Sequence, residues 1–280
     1  MSKDLKPGTL YLVGTPIGNL EDITFRAIGI LQAVDLIAAE DTRHTGKLLQ
    51  HFQIAAPQIS YYEHNKRSRQ EELLARLQKG ETIALVTDAG MPGISDPGYE
   101  LVKACIDAGI SVIPIPGVTA AVTALAASGL PTDRFVFEGF LPIKGKERRD
   151  RLNFLKHETR TLILYEAPHR LLETLSDLAS VLGENRQIVL ARELTKVHEE
   201  FWRGTIRDAI ALYTTNREPK GEFTLVVAGT QTQENLILSE EELKTELRRL
   251  IEQGMTRSQA SRQLAQLTNI PRRQIYDLEI

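Results

Sequence analysis

The chain has 280 residues, 42% hydrophobic and 25% charged, with a net charge of −3 at neutral pH. That length supports more than one core, and so small a charge excludes a global field drawing the chain to nucleic acid or membrane, leaving local charge segregation as the only electrostatic route. A single cysteine, Cys105, excludes an intrachain disulfide and a cysteine metal cluster; six histidines without paired ligand spacing, no signal-peptide pattern and no long apolar run make the expectation a cytosolic protein with no metal.

Apolar runs at 10–13, 36–39, 83–86, 112–115, 135–137, 162–165, 188–191 and 223–228 alternate with amphipathic stretches. Alternation of this kind predicts an α/β fold with mostly parallel strand pairing. The first run enters Gly14-Thr15-Pro16-Ile17-Gly18-Asn19. Its glycines stand four apart, which fits neither a dinucleotide fingerprint nor a Walker loop. The segment is either a plain turn or a backbone platform facing a ligand. After the second run, Glu40-Asp41-Thr42-Arg43-His44 crowds acid, hydroxyl and base at one strand end. Either Asp41 or Thr42 caps the next helix, or the cluster is functional, with Arg43 and Lys47 a turn apart and able to face one phosphate.

The third run is the most informative. Ile83-Ala84-Leu85-Val86 suits a strand buried on both faces, and three glycines and two prolines then fall between positions 90 and 98. A loop of fixed path and little bulk lets a ligand reach the backbone. Asp88 stands at the strand's carboxyl end, where open α/β sheets bind ligands. Cys105 follows in an apolar helical stretch and reads as core. The run at 112–115 ends in Pro116-Gly117-Val118-Thr119-Ala120 and opens a helix of small residues, whose start offers N–H groups and the Thr119 hydroxyl.

A boundary is expected between 128 and 151, where the 141–151 connector carries five basic and two acidic residues. Beyond it, two strands enter charged clusters, Glu166-Ala167-Pro168-His169-Arg170 and Arg192-Glu193-Leu194-Thr195-Lys196-Val197-His198, which are either solvated faces or parts of a site. A second boundary is expected near 230–235. The resulting division is an N-terminal α/β domain over 1–128, a second over 129–232 and a helical tail over 233–280. From Gly254 to Tyr276 the tail holds Arg257, Arg262, Arg272 and Arg273 and no acid. Its pattern outlines a helix-turn-helix, for nucleic-acid contact or as a cap on the body.

Six segments taken in order, beginning at Val13, Ala39, Thr87, Pro116, Tyr165 and Arg192, resemble the tetrapyrrole-methylase-like class of S-adenosylmethionine-dependent methyltransferases. Within it they are similar to the bacterial enzymes that methylate a cytidine 2′-hydroxyl of small-subunit ribosomal RNA. The resemblance covers roughly 8–230; Ala167 departs from it, standing where serine is expected. It implies two α/β domains with S-adenosylmethionine in the cleft between them and a homodimer acting on 16S ribosomal RNA in the small subunit. The donor would lie against Pro16, Asp88, Gly90, Met91, Ile94, Ser95, Pro116, Gly117, Val118, Thr119 and Ala120, closed over by Tyr165 and Val226. Glu40, Asp41, Glu166, Glu193, Lys196 and His198 stand as candidates for the base that activates the ribose hydroxyl, lysine only with a depressed pKa. Arg43, Lys47, Arg170, Arg192 and the four tail arginines are candidates for RNA contact. The competing readings are a same-fold enzyme acting on a small tetrapyrrole-like molecule and a non-catalytic RNA-binding assembly factor.

Overall fold

The computed structural model describes residues 5–230, 238–268 and 270–279. A body, Met1–Ala228, and a tail, Gly229–Ile280, form two compact units.

The body holds two five-stranded sheets. In the first, β1 (Thr9–Val13), β2 (Leu36–Ala39), β3 (Gln58–Ser60), β4 (Ile83–Val86) and β5 (Ser111–Ile115) are all parallel, in the order β3-β2-β4-β1-β5. Alternating strand side chains point to opposite faces. Tyr11, Val13, Ile37, Ala39 and Val86 pack with α1 (Phe25–Ala33) and α2 (Thr42–His51). Leu10, Leu36, Ile83 and Leu85 pack with α3 (Lys66–Gln78) and α4 (Tyr99–Asp107), and Cys105 is buried there, its thiol pushed up to about 11 by burial. The chain crosses from β1 to β2 on one side and from β4 to β5 on the other, so β1 and β4 flank a topological switch point. Ligand crevices open at the carboxyl ends of strands at such points.

α5 (Ala120–Ser128) follows β5 in sequence but packs on the second sheet, where Ala121, Ala124 and Leu125 meet Ile163, Val189, Ala191 and Val226. Ile17, from the loop after β1, joins this cluster and ties the two sheets together. The second sheet runs β6 (Phe135–Phe140), β7 (Thr161–Glu166), β10 (Phe223–Val227), β8 (Gln187–Arg192), β9 (Glu200–Thr205). Its opposite face is covered by α6 (Gly145–Leu155), α7 (Leu171–Leu182) and α8 (Ile206–Ala211).

The expectation of mostly parallel pairing fails in this second sheet. Only β6 and β7 are parallel; β10 runs antiparallel to β7 and β8, and β8 antiparallel to β9. Alternating elements signal α/β layers but not the direction in which a late strand such as β10 inserts. The sequence also gives no sign of β3 and β9. Both are edge strands whose residues are mostly half-buried, so neither shows a continuous apolar run.

The tail comprises α9 (Glu240–Glu252), α10 (Arg257–Thr268) and α11 (Arg272–Tyr276) around Leu243, Leu247, Leu250, Ala260, Leu264 and Ile275. Ser239 and Glu242 close a capping box at the start of α9. The second expected boundary, 230–235, lies almost wholly outside the described residues. No described helix is long and apolar enough to cross a membrane, and no group of three or more His, Cys, Asp or Glu among the described residues could hold a metal ion.

Candidate functional site

Three loops converge at the switch point. The loop after β1 and the loop after β4 exchange a two-way backbone bridge, Thr15 N–H to the Gly90 carbonyl at 2.9 Å and Gly90 N–H to the Thr15 carbonyl at 3.0 Å. The loop after β5 presses on them so closely that a Cβ on Gly14 would stand 2.8 Å from the Gly117 Cα. Only glycine fits at such a backbone contact. The loop after β8 arrives from the other sheet, and a Cβ on Gly18 would stand 2.4 Å from the Lys196 Cγ. Strain gathers here too: Ser95, Glu193 and Thr195 all take positive φ without being glycine.

Between these loops and the second sheet lies a cavity of about 390 Å³. Ile17, Met91, Ile94, Ala120, Phe140 and Phe223 give it apolar walls. Tyr165, whose hydroxyl oxygen accepts the Ala121 N–H at 3.2 Å, stands in its wall, with Phe137 and Phe140 edge-on to the ring. Burial pushes the Tyr165 pKa up. Among the described residues, no lysine, arginine or histidine lines the space, and three carboxylates do, Asp96, Glu166 and Glu222.

Of the expected donor contacts, Gly90, Met91, Ile94, Ser95, Thr119, Ala120 and Tyr165 line this cavity. Pro16, Asp88, Pro116, Gly117, Val118 and Val226 do not. Ile17 takes the wall position beside Pro16. Gly117 faces Gly14, and Val226 is fully buried between β10 and α5. Asp88 turns toward β2, where its carboxylate accepts the Asp41 N–H at 3.2 Å. Burial and then the neighbouring Glu40 raise its pKa.

The candidates for a base separate clearly. Asp41 caps α2 through the Arg43 N–H and also pairs with the Arg43 side chain at 2.7 Å, which holds its carboxyl well below the usual range. Glu40 accepts the Thr87 hydroxyl and the Asp88 N–H. Glu166 is 2% exposed; it accepts the Thr174 hydroxyl at 2.5 Å and the Ala167 N–H at 2.9 Å, with Arg170 at 3.6 Å. Lys196 donates to Glu193 and to Glu222, each at 2.9 Å. Burial would lower the Lys196 pKa, but the two carboxylates outweigh it and the net shift is upward. The depressed lysine pKa that a base would need is therefore contradicted. For Glu193, burial is likewise outweighed by Lys196 and the Glu222 N–H, and its pKa falls. His198 is exposed, and its carbonyl accepts from Arg192.

One cavity carboxylate keeps no cation, and it is absent from the sequence-level candidates. Asp96 is half-buried beside the Thr87 hydroxyl, and its pKa is pushed up to about 6, chiefly by burial, with Glu40 and Asp88 adding repulsion. Its signal is plain in the sequence: it is an acid inside the glycine-proline loop, next to Ser95, whose φ is positive. Phe140 is a further wall residue without a sequence signal, since the apolar run of β6 breaks at Glu138 while the strand continues past it; Glu222 and Thr224, at the start of β10, are brought to the cavity only by that strand's pairing with β7.

The arginine candidates divide as well. Arg170 is drawn inward to the Leu141 carbonyl at 2.8 Å, and Arg192 donates to the Lys220 carbonyl at 2.7 Å, so both guanidinium groups already hold backbone partners. Arg257 is satisfied within the tail by the Tyr276 and Leu278 carbonyls. Arg43, Lys47, Arg262, Arg272 and Arg273 are exposed, although Arg272 donates to Ser258 and Arg43 pairs with Asp41.

A parallel sheet with its crevice closed by a second, mixed sheet defines a two-sheet α/β scaffold around a small-molecule cavity. The chain belongs to the tetrapyrrole (corrin/porphyrin) methylase family, whose model matches residues 9–210. It is 64% identical over 273 residues to the ribosomal RNA small subunit methyltransferase I of Synechocystis sp., covering 98% of each chain. It is 49% identical over 277 residues to the protein of that name from Bacillus subtilis, covering 96% of this chain and 93% of the relative. Among solved structures it is similar in fold to a uroporphyrin-III C-methyltransferase from Thermus thermophilus in complex with S-adenosylhomocysteine. The TM-score is 0.56 at 19% identity, with 79% of this chain and 97% of that one covered.

Proposed function

We propose that this chain transfers the methyl group of S-adenosylmethionine to the ribose 2′-hydroxyl of a cytidine in the decoding region of 16S ribosomal RNA, acting on the small subunit as a homodimer. The observation that carries the chemistry is the cavity itself, walled from both sheets, without a cation, and holding one carboxylate left unpaired. The relatives named as small-subunit ribosomal RNA methyltransferases support the substrate.

The residues present fit the donor. The 390 Å³ space lies within the range of small-molecule sites. Its apolar and backbone-rich walls suit an adenosyl group, and nothing in it would repel a positive sulfonium. Bound there, S-adenosylmethionine supplies an electrophilic methyl, displaced in line with the bonding pair left on sulfur. Gly90, Met91, Ile94, Thr119 and Ala120 would hold it from the first-sheet side and Tyr165 from the second. Asp96 takes the proton of the ribose hydroxyl onto a carboxylate oxygen. A base with a pKa near 6 is ionised at neutral pH yet more basic than an ordinary carboxylate. Lys196, its charge paired with Glu193 and Glu222, is not a proton acceptor.

The test is methyl transfer from radiolabelled donor to purified small subunits taken from cells lacking this protein, followed by mass spectrometry of the RNA. A single 2′-O-methylcytidine is expected. Label on a base, or on a porphyrin-like small molecule and not on RNA, would contradict the reading.

A further inference from the structure

Phe140 lines the cavity on the β6 side. That side chain, 52% exposed at the end of β6, also borders a separate open groove of about 680 Å³. The groove runs between the β6 end and α6, lined by Phe140, Pro142, Lys146, Arg151 and Phe154, with acids at Glu138, Glu147 and Asp150. Two of its aromatic rings face water, since Phe154 is 67% exposed, and Ile143 beside them is 69% exposed. The Arg151 guanidinium lies 5.0 Å from the center of the Phe154 ring while its nitrogens pair with buried Glu138. Lys144, Lys146 and Arg149 are exposed and have no ion-pair partner among the described residues.

The floor of this groove is fixed by charges buried in the fold. Arg148, 4% exposed, donates to the Pro142 carbonyl at 2.9 Å, to the Thr174 hydroxyl at 2.9 Å and to Asp177 at 2.7 Å. Arg170 holds the neighbouring Leu141 carbonyl, and Glu166 holds Thr174 and Arg170 in turn. Burying two arginines and a glutamate is costly unless every partner is in place. Here the partners are two consecutive backbone carbonyls, Leu141 and Pro142, so the network sets the path of the chain leading away from Phe140.

We propose that this groove seats an unpaired nucleotide of the RNA substrate next to the one being methylated. Its base stacks on Phe154 and Phe140, and its phosphates lie along Lys144, Lys146 and Arg149. This inference rests on the RNA reading above and deepens it. The exposed Phe140 and Phe154 rings are the faces a single-strand platform needs, because every base has a face to stack; Lys146 in the lining, with Lys144 and Arg149 near it in the chain, supplies the cations for the phosphates, while Glu147 and Asp150 keep the rest of the groove acidic. Phe140, which lines both spaces, puts that platform next to the cavity the target sugar would enter. An unstacked target needs such a flanking hold, since RNA is read where bases can be splayed from the stack.

The probe is a fluorescent single-stranded 12-nucleotide oligoribonucleotide, titrated by anisotropy with the full chain. Phe154→Ala should weaken its binding by about ten-fold, within the range for loss of one stacked base. Phe154→Trp should keep it within about three-fold, as a larger ring restores the face. Both variants should bind S-adenosylhomocysteine by calorimetry as the wild type does, which separates loss of the groove from loss of the fold. Unchanged oligonucleotide affinity in Phe154→Ala would overturn the proposal. So would a shift in its sedimentation coefficient without a change in RNA affinity, because the rings would then be a contact between copies of this chain. Methyl transfer by the wild type to small subunits reports on the underlying RNA reading independently.

Discussion

The two sheets meet the same cavity with opposite materials. From the first, the wall is backbone: the loops after β1, β4 and β5 pack glycine against glycine and leave Asp96 as an unpaired acid. From the second, the wall rests on paired charge, with Glu166 tied to Thr174 and Arg170, and Glu222 and Glu193 tied to Lys196. Both sets of groups stand at strand ends, and both look reactive as a string of letters. The difference teaches that a charged cluster after a strand becomes structural when partners close around it. Chemistry is left to the acid that its neighbours do not neutralise.

Substitutions sharpen this contrast, and the largest effect belongs to the unpaired acid. Asp96→Asn should slow single-turnover transfer by about 10²–10⁴-fold. In the wild type the rate should rise with pH and level off above about 6, and that rise should vanish in the variant. A carboxyl NMR titration of the free protein should place the Asp96 pKa near the same value. A wild-type rate flat from pH 5 to 8 would break the assignment.

Next in size is the paired side. Glu166→Ala leaves Arg170 and Thr174 without their buried acceptor and should lower unfolding stability by about 3 kcal/mol in urea titration. No loss would mean that the network is not formed. Lys196→Met should cost less, about 1 kcal/mol, because Glu222 reaches solvent and can turn away. The remaining effect on stability has the opposite sign. The folded-state pKa of Asp96 lies above its unfolded value, so between about pH 4 and 6 the native state binds more protons than the unfolded one, and this residue's contribution to stability declines as pH rises. Asp96→Asn should therefore melt higher than the wild type at pH 7 and at the same temperature below about pH 4.

Apart from the edge strands β3 and β9, the strands of both sheets are legible in the sequence as apolar runs. β2 and β4 match their apolar runs residue for residue, and the glycine-proline loop marked the crevice. The helix of small residues at α5 was legible too, but not its place on the second sheet, which depends on Val189 and Val226 meeting Ala121 from far along the chain. The same limit explains the arginines. Arg170 and Arg192 read as ligand-facing because their partners, the Leu141 and Lys220 carbonyls, stand nearly thirty positions away and carry no side-chain signature. Asp96 was passed over for Asp88 because strand ends draw attention first, whereas the loop's turn brings the later acid to the cavity.

The most direct test is a crystal structure of the chain soaked with S-adenosylhomocysteine. The account predicts density for the ligand inside the cavity, in contact with Met91, Ala120 and Tyr165 and beside the Asp96 carboxylate. Ligand bound anywhere else, with that cavity closed or holding only solvent, would contradict it.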